Sequence, residues 1–275
     1  MASYLRPALL SDALAALAAG PKTLLAGGTD HFPARVTVEP DEDILDITAL
    51  PGLHAITRDD NTPGQWRIPA LATWTSLVEK HLPPLFDGLK QAAIQVGGRQ
   101  IQNTGTLVGN ICNASPAADG IPPLLALDAS VELQSVAGTR TLPLVAFVQG
   151  PRRTARRPDE MVTAILLPHR DARSSFSKLG GRRYLVISIC MLATTITQDR
   201  AGRITHAAIA VGACGPVATR LPALEAALIG KHPDPALVRP EHLAPLAPID
   251  DLRGPASYRH QATLELLRRS LATQT

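Results

Sequence analysis

Two stretches of this 275-residue chain combine glycine, hydroxyl residues and asparagine in a way that suits backbone chemistry better than packing. The longer runs from Val96 to Asp128 and holds five glycines and three asparagines between apolar segments. Glycine reaches positive φ without strain and lets main chain approach a ligand closely. Thr106 and Asn110 add donors at low bulk. A long loop of this kind inside a compact chain is usually functional, and its N–H groups can wrap an anion. The other reading is an irregular connection between helices. The shorter stretch is Gly27-Gly28-Thr29-Asp30, which follows a strand-like Lys22–Ala26. A strand, a sharp turn and a short helix capped by Thr29 or Asp30 would aim free N–H groups at one spot, an anion site by geometry. A plain strand-to-helix turn fits as well. The G-x-G-x-x-G spacing of a dinucleotide fingerprint is missing.

Other chemistry is sparse. Cys112, Cys190 and Cys214 lie far apart with no CxxC spacing, so no iron–sulfur or zinc site is encoded locally. An odd count without a disulfide pattern suits a reducing compartment, and a cytoplasmic location is expected. A net charge of +3 gives no argument for nucleic acid or a membrane surface, and 3% aromatics argue against a base-stacking platform. No apolar run reaches the roughly 18 residues of a membrane span. The N-terminus, interrupted by Asp12, reads as mature and not as a signal peptide. Gln149–Asp159 holds four arginines and reads as a solvated loop. Asp119 reads locally as an acid at a helix N-terminus.

The elements that must position these stretches follow in order. Ser11 should cap an Ala/Leu helix ending at Gly20. Strands are expected at Lys22–Ala26, Asp43–Ile47 and Trp66–Leu71, the last after a turn at Asp59–Gly64. Thr73 or Thr75 should cap a helix to Lys80, and Leu85–Val96 should be helical. Pro122–Leu127 reads as the end of a helix. Val131–Gln134 and Thr141-Leu142 form a hairpin, Pro143–Phe147 a short helix, and Glu160–Leu167 a strong strand. A boundary falls at His169–Ser174. Beyond it, Ser175–Gly180, Val186–Thr197 and Arg203–Val211 predict a three-stranded antiparallel sheet. Helices are expected at Leu221–Ile229, Pro240–Leu246 and Ser257–Ala272, with Leu264, Leu267 and Leu271 a packing stripe.

With these residues assembled, four ordered segments resemble one family. They are LLAGGTDHFP at Leu24–Pro33, GGRQIQNTGTLVGNICNASPAADGIPPLLALDA at Gly97–Ala129, FSKLGGRR at Phe176–Arg183 and AAIAVGACGPVATR at Ala207–Arg220. The chain is similar over nearly its whole length to the FAD-binding medium subunits of the molybdenum hydroxylases, the carbon monoxide, xanthine and aldehyde dehydrogenase group. The resemblance implies an α+β fold: a two-part FAD-binding domain of the vanillyl-alcohol oxidase (PCMH) type, then a C-terminal three-stranded antiparallel sheet with a helical bundle. The expected parts are residues 1–55, 56–171 and 172–275.

The resemblance also implies roles. Ala26, Gly27, Gly28, Thr29 and Asp30 would form one half of a phosphate nest, flanked by Leu24, Leu25 and His31. Thr106, Leu107, Val108, Gly109 and Asn110 would form the other half. Asp119 would accept from the ribose or adenine of the adenosine end. Val96 matches an aromatic beside the flavin in some members, and Leu167 a further contact. Lys178 would stand near the pyrimidine side of the ring, where a cation favours the reduced, anionic flavin; an exposed strand residue is the other reading. His31 replaces an apolar residue and is either structural or a tuner of the flavin. Val108 replaces a family glycine, and a β-branched residue cannot comfortably take φ > 0. A crowded phosphate loop, or a flavin-free scaffold, is therefore an expectation to test. No catalytic residue and no metal ligand is expected here. FAD would be non-covalent, with Cys112 as packing. The molybdenum cofactor would lie in a large subunit and two [2Fe–2S] clusters in a small one. Electrons would pass through FAD to a soluble acceptor. A free-standing FAD-dependent oxidoreductase is the alternative.

Overall fold

The computed structural model describes residues 2–35, 41–59 and 64–273. The first sheet has three parallel strands, β1 (Tyr4–Leu5), β2 (Thr23–Leu25) and β3 (Ile44–Asp46), in the order β1-β3-β2. Between β1 and β2 runs helix α1 (Leu10–Ala18), which buries Ala13 and Leu17. Ser11 lies inside this helix and does not cap it. The N-cap is Leu9, which has no capping side chain. After β2 the chain turns at Gly28, where φ is +64°. Residues 29–34 form successive turns instead of the expected helix.

A five-stranded antiparallel sheet follows, in the order β4-β5-β10-β6-β7. Strands β4 (Thr57–Asp59) and β5 (Gln65–Pro69) pair at its edge. The tip of the turn expected between them lies outside the described residues. Helix α2 (Trp74–Glu79) is capped by Thr73, whose hydroxyl accepts from the Ser76 N–H at 3.1 Å. A 3-10 turn at Pro84–Phe86 leads into α3 (Asp87–Ala93).

The glycine-rich stretch is then largely helical, which the sequence indicates only at Pro122–Leu127. It contains α4 (Arg99–Thr104), α5 (Leu107–Asn113) and α6 (Ile121–Ala126), joined by tight turns. Each helix is too short to be stable alone, so tertiary contacts hold them. The sheet resumes with β6 (Ser130–Ser135) and β7 (Gly138–Pro143), followed by the short helix α7 (Leu144–Phe147). A small hairpin, β8 (Val148–Gly150) and β9 (Arg153–Thr154), precedes the central strand β10 (Met161–Leu167).

The C-terminal part holds a four-stranded antiparallel sheet: β11 (Arg173–Leu179), β12 (Cys190–Gln198), β13 (Ile204–Gly212) and a two-residue edge strand, β14 (Thr219–Arg220). The expected strand at Val186 begins only at Cys190. Helices α8 (Pro222–Leu228) and α9 (Ala256–Ala272) complete it, with a 3-10 turn at Pro240–Leu243.

This sheet is buried on both faces. Met191, Ala193, Ala208 and Ala210 join the large core that contains Phe86, Leu89 and Leu124. The alternate residues Cys190, Leu192, Ile209 and Val211 join a second core with Leu224, Leu228, Leu267 and Leu271. Period-two alternation therefore feeds two interiors, which is why these strands read as nearly continuous apolar runs. Small residues face the first core because α3 comes very close. A Cβ on Gly88 would stand 2.9 Å from the Ser175 backbone. Ser174 closes this seam, donating to the Leu85 carbonyl at 2.7 Å and accepting from the Gly88 N–H at 2.8 Å.

Candidate flavin site

The two glycine-bearing segments meet back to back. A Cβ on Gly27 would lie 2.1 Å from the Thr104 carbonyl oxygen, so only glycine fits at this crossing. The start of α5 is stitched to the start of α2. The Trp74 N–H donates to the Gly105 carbonyl at 3.1 Å, and the Leu107 N–H to the Ala72 carbonyl at 3.2 Å. Thr106 caps α5 through its hydroxyl, which accepts from the Gly109 N–H at 2.9 Å. Asn110 Oδ1 accepts from the Gly120 N–H at 3.0 Å and ties down the turn that bears Asp119.

Between these segments lies a cavity of about 850 Å³, within the size range of small-molecule sites. Leu24 to His31 line one wall, and Thr106, Val108, Gly109 and Asn110 line another, with Val96, Asp119 and Lys178 also on the boundary. The backbone N–H groups from Ala26 through His31 donate to no acceptor among the described residues. None of the six residues is buried, so these donors are free to meet a ligand or water at the cavity wall.

Two expected residues do not reach the cavity. Leu107 is 1% exposed and packs in the core, its side chain abutting the same space as Trp74 against Gly120. Leu167 is fully buried and pairs with Trp66 at the far end of β10. It is Met161 and Val162, at the near end of that strand, that line the wall. Val108 lines the wall but carries none of the expected backbone strain. It lies in the first turn of α5 with ordinary helical backbone, where no positive φ is required.

Asp119 and Lys178 were assigned to opposite ends of a dinucleotide, yet they form one buried ion pair with oxygen and nitrogen 3.0 Å apart. Ser188 donates to the other Asp119 oxygen at 3.3 Å. One spot cannot touch both the adenosine and the pyrimidine of an extended cofactor, so the two assignments exclude each other. Burial pushes the Asp119 carboxyl above its ordinary range, further than Lys178 and Ser188 bring it back. Lys178 is 5% exposed in its side chain, not an exposed strand residue. It also borders an adjoining cavity of about 380 Å³ with Gly97, Leu185 and Val186.

His31 is mostly buried. Its Nε2 makes no hydrogen bond, and the nearest carboxylate oxygen, of Glu42, is 3.7 Å away. Burial and the Arg35 charge lower its pKa, so the ring is neutral near pH 7. Cys112 lies on the cavity wall, where burial pushes its thiol up to about 12. A thiol so protonated is a poor nucleophile, in keeping with a flavin that is not covalently attached.

Sequence reasoning missed the basic loop. Arg152 and Arg156 are on the cavity wall and do not simply face solvent. Arg152 adopts φ +58° and reaches across the opening to Asp30 at 2.6 Å and to Asn113. Four arginines between Gln149 and Asp159 were the signal, but only the fold shows which two turn inward. Among the described residues no cluster of His, Cys, Asp or Glu could hold a metal ion, and no helix is long and apolar enough to cross a membrane.

A cavity of this volume with free N–H groups on its wall suits a small-molecule ligand, and sequence comparison specifies which kind. Residues 1–170 match the family model of the FAD binding domain in molybdopterin dehydrogenase, and residues 175–274 that of the CO dehydrogenase flavoprotein C-terminal domain. The chain belongs to this family of FAD-binding subunits of molybdenum-containing oxidoreductases. It is 34% identical to the nicotinate dehydrogenase FAD-subunit of Eubacterium barkeri, over 76% of this chain and 72% of that one. It is 29% identical to the nicotine 6-hydroxylase medium subunit of Paenarthrobacter nicotinovorans, over 98% and 95%. Among solved structures, the carbon monoxide dehydrogenase of Hydrogenophaga pseudoflava superposes with a TM-score of 0.88 at 26% identity, covering 98% of this chain and 95% of that one.

Proposed function

We propose that this chain is the electron-relay subunit of a molybdenum hydroxylase, holding FAD between the iron–sulfur clusters of a small partner subunit and a soluble acceptor. FAD, when bound, exchanges electrons one or two at a time and so joins single-electron centres to a two-electron acceptor. This chain's residues bind and orient the group. The observation that carries the reading is the row of unpaired N–H groups from Ala26 to His31 opening on the large cavity. Such donors suit the pyrophosphate, each charge-assisted hydrogen bond stabilising it by about 1.5–3 kcal/mol. The Gly27 crossing fixes that row in place before any ligand arrives, so little ordering is needed on binding. On this reading the Lys178–Asp119 pair lies toward the ring end, with Lys178 also bordering the second cavity beside the exposed Tyr184 and Leu185. On this reading the substrate is oxidised at the molybdenum cofactor of a large partner subunit, and no acid–base pair for that step is needed here.

The test is the absorption spectrum of the purified full chain, with the released chromophore identified by mass. Flavin bands and the mass of FAD are expected, released by acid precipitation without covalent attachment. A protein that stays colourless after addition of FAD would overturn the reading.

A further inference from the structure

Five cations line the large cavity, and four of them are neutralised. Lys22 pairs with Asp43 at 3.3 Å, Arg35 with Glu42, Arg152 with Asp30 at 2.6 Å and Lys178 with Asp119 at 3.0 Å. Arg156 differs. Among the described residues it has no carboxylate partner. A single nitrogen, Nη1, donates to the carbonyls of Glu160 at 2.8 Å, Arg157 at 3.1 Å and Pro158 at 3.5 Å. Its Nε and Nη2 donate to nothing among the described residues. The guanidinium is therefore anchored on one corner, with the side-on fork of its other two nitrogens open. It is only half exposed, and Cys112 on the same wall feels its charge.

A half-buried cation without a counter-charge destabilises the empty protein. The same cation is an asset if a ligand supplies the anion. The free fork matches two oxygens of a phosphate, and the carbonyl anchors remove most of the side-chain freedom that binding would otherwise cost. With the neighbouring ion pairs closed on themselves, the net positive charge of the wall resides at Arg156 and at the N–H row.

We infer that Arg156 is the charged partner of the pyrophosphate half of the cofactor, and that it sets the preference of this site for a dinucleotide over riboflavin. This rests on the FAD reading above. The residue is a binding residue of the diphosphate moiety, and ADP alone should engage it.

The full chain, stripped of flavin, is titrated with FAD, ADP and riboflavin at two salt concentrations, following flavin fluorescence or heat. Arg156→Gln is expected to weaken FAD and ADP by about ten- to a hundredfold, as loss of one charge-assisted contact requires, and to leave riboflavin unchanged. The fall of FAD affinity with salt, present in the wild type, should flatten in the variant. Arg156→Lys, which keeps the charge without the fork, should recover part of the loss. Unfolding midpoints of both variants report whether the carbonyl-anchored loop is intact. Unchanged FAD affinity, or an equal loss for riboflavin and FAD, would overturn the inference. A wild-type chain that takes up no FAD would instead sink the cofactor reading, and this inference with it.

Discussion

At the scale of single residues the site depends on how close main chain can come to main chain. Gly27 allows the first segment to touch the end of α4, and no larger residue can replace it without moving backbone. Gly27→Ala should therefore lower the flavin content of the purified protein by tenfold or more and cost about 1–3 kcal/mol of stability. Gly181→Ala is the matched control. Its Cβ would meet nothing within 4 Å, and neither flavin content nor unfolding midpoint should change. Similar flavin content in the two variants would show that the crossing does not shape the site. Val108 teaches the converse. A residue that looked strained in a glycine-rich loop has an ordinary backbone once that loop is a helix.

At the scale of elements, β1 is a two-residue strand with both residues exposed, and charge contacts hold it more than burial does. Asp43 accepts from the Ser3 N–H at 2.9 Å and the Ser3 hydroxyl at 2.7 Å, and pairs with Lys22. These bonds to Ser3 and Lys22 hold its pKa at about 2. Asp46, in β3, accepts from the Tyr4 hydroxyl and the Thr48 N–H, and its pKa is lowered too. A carboxylate whose pKa is depressed by folding stabilises fully above its ordinary value near 4 and loses that contribution as pH falls toward 2. Protection of the Tyr4 and Leu5 amides, taken relative to the intrinsic exchange rate at each pH, should fall over that window, and Asp43→Asn should show the lower protection already at pH 7. Protection that is flat between pH 5 and 2 would place the strand's stability elsewhere. The same element held the candidate site only indirectly, since β2 runs straight into the Gly27-Gly28 turn.

At the scale of the whole molecule, the flavin-binding part and the C-terminal part are joined by a charged cluster as well as by the shared core. Asp128, in a left-handed conformation after α6, accepts from Arg170 at 3.0 Å and from Arg220 at 2.8 Å. Arg220 also pairs with Glu225 at 2.5 Å, and Arg170 donates to His206 Nε2 at 2.6 Å. Burial and the Arg170 charge lower the His206 pKa, with Arg220 adding to this and Asp128 and Glu225 opposing it. A histidine held neutral in the fold contributes fully above its ordinary value near 6.5 and opposes folding as pH falls below it. The thermal unfolding midpoint should drop as pH falls below 6.5, and His206→Gln should remove part of that drop, with His31 contributing as well. Asp128→Ala should cost roughly 1 kcal/mol at neutral pH, since the cluster is partly exposed. A pH profile identical in wild type and His206→Gln would show that the seam does not sense this histidine.

The sequence alone determined the local grammar. The β2 strand and the Gly27-Gly28 turn follow from short-range chemistry, which also narrows the α2 cap to Thr73 or Thr75. Four ordered segments were enough to indicate the family, and at Gly27 the reason is plain, since backbone there crosses backbone and only glycine fits. What only the tertiary structure decided depends on partners distant in sequence. It turned the stretch from Val96 to Asp128 into three short helices that no local propensity sustains. It set Asp119 against Lys178, 59 positions apart, so that two residues whose roles looked independent meet at one spot. It put Leu107 and Leu167 in the core, because strand register and helix face cannot be read from one strand or one helix by itself. It brought Arg152 and Arg156 to the cavity out of a loop whose composition does not say which of its four arginines turn inward. Charge in a sequence has a sign but no direction, and direction is what the fold supplies.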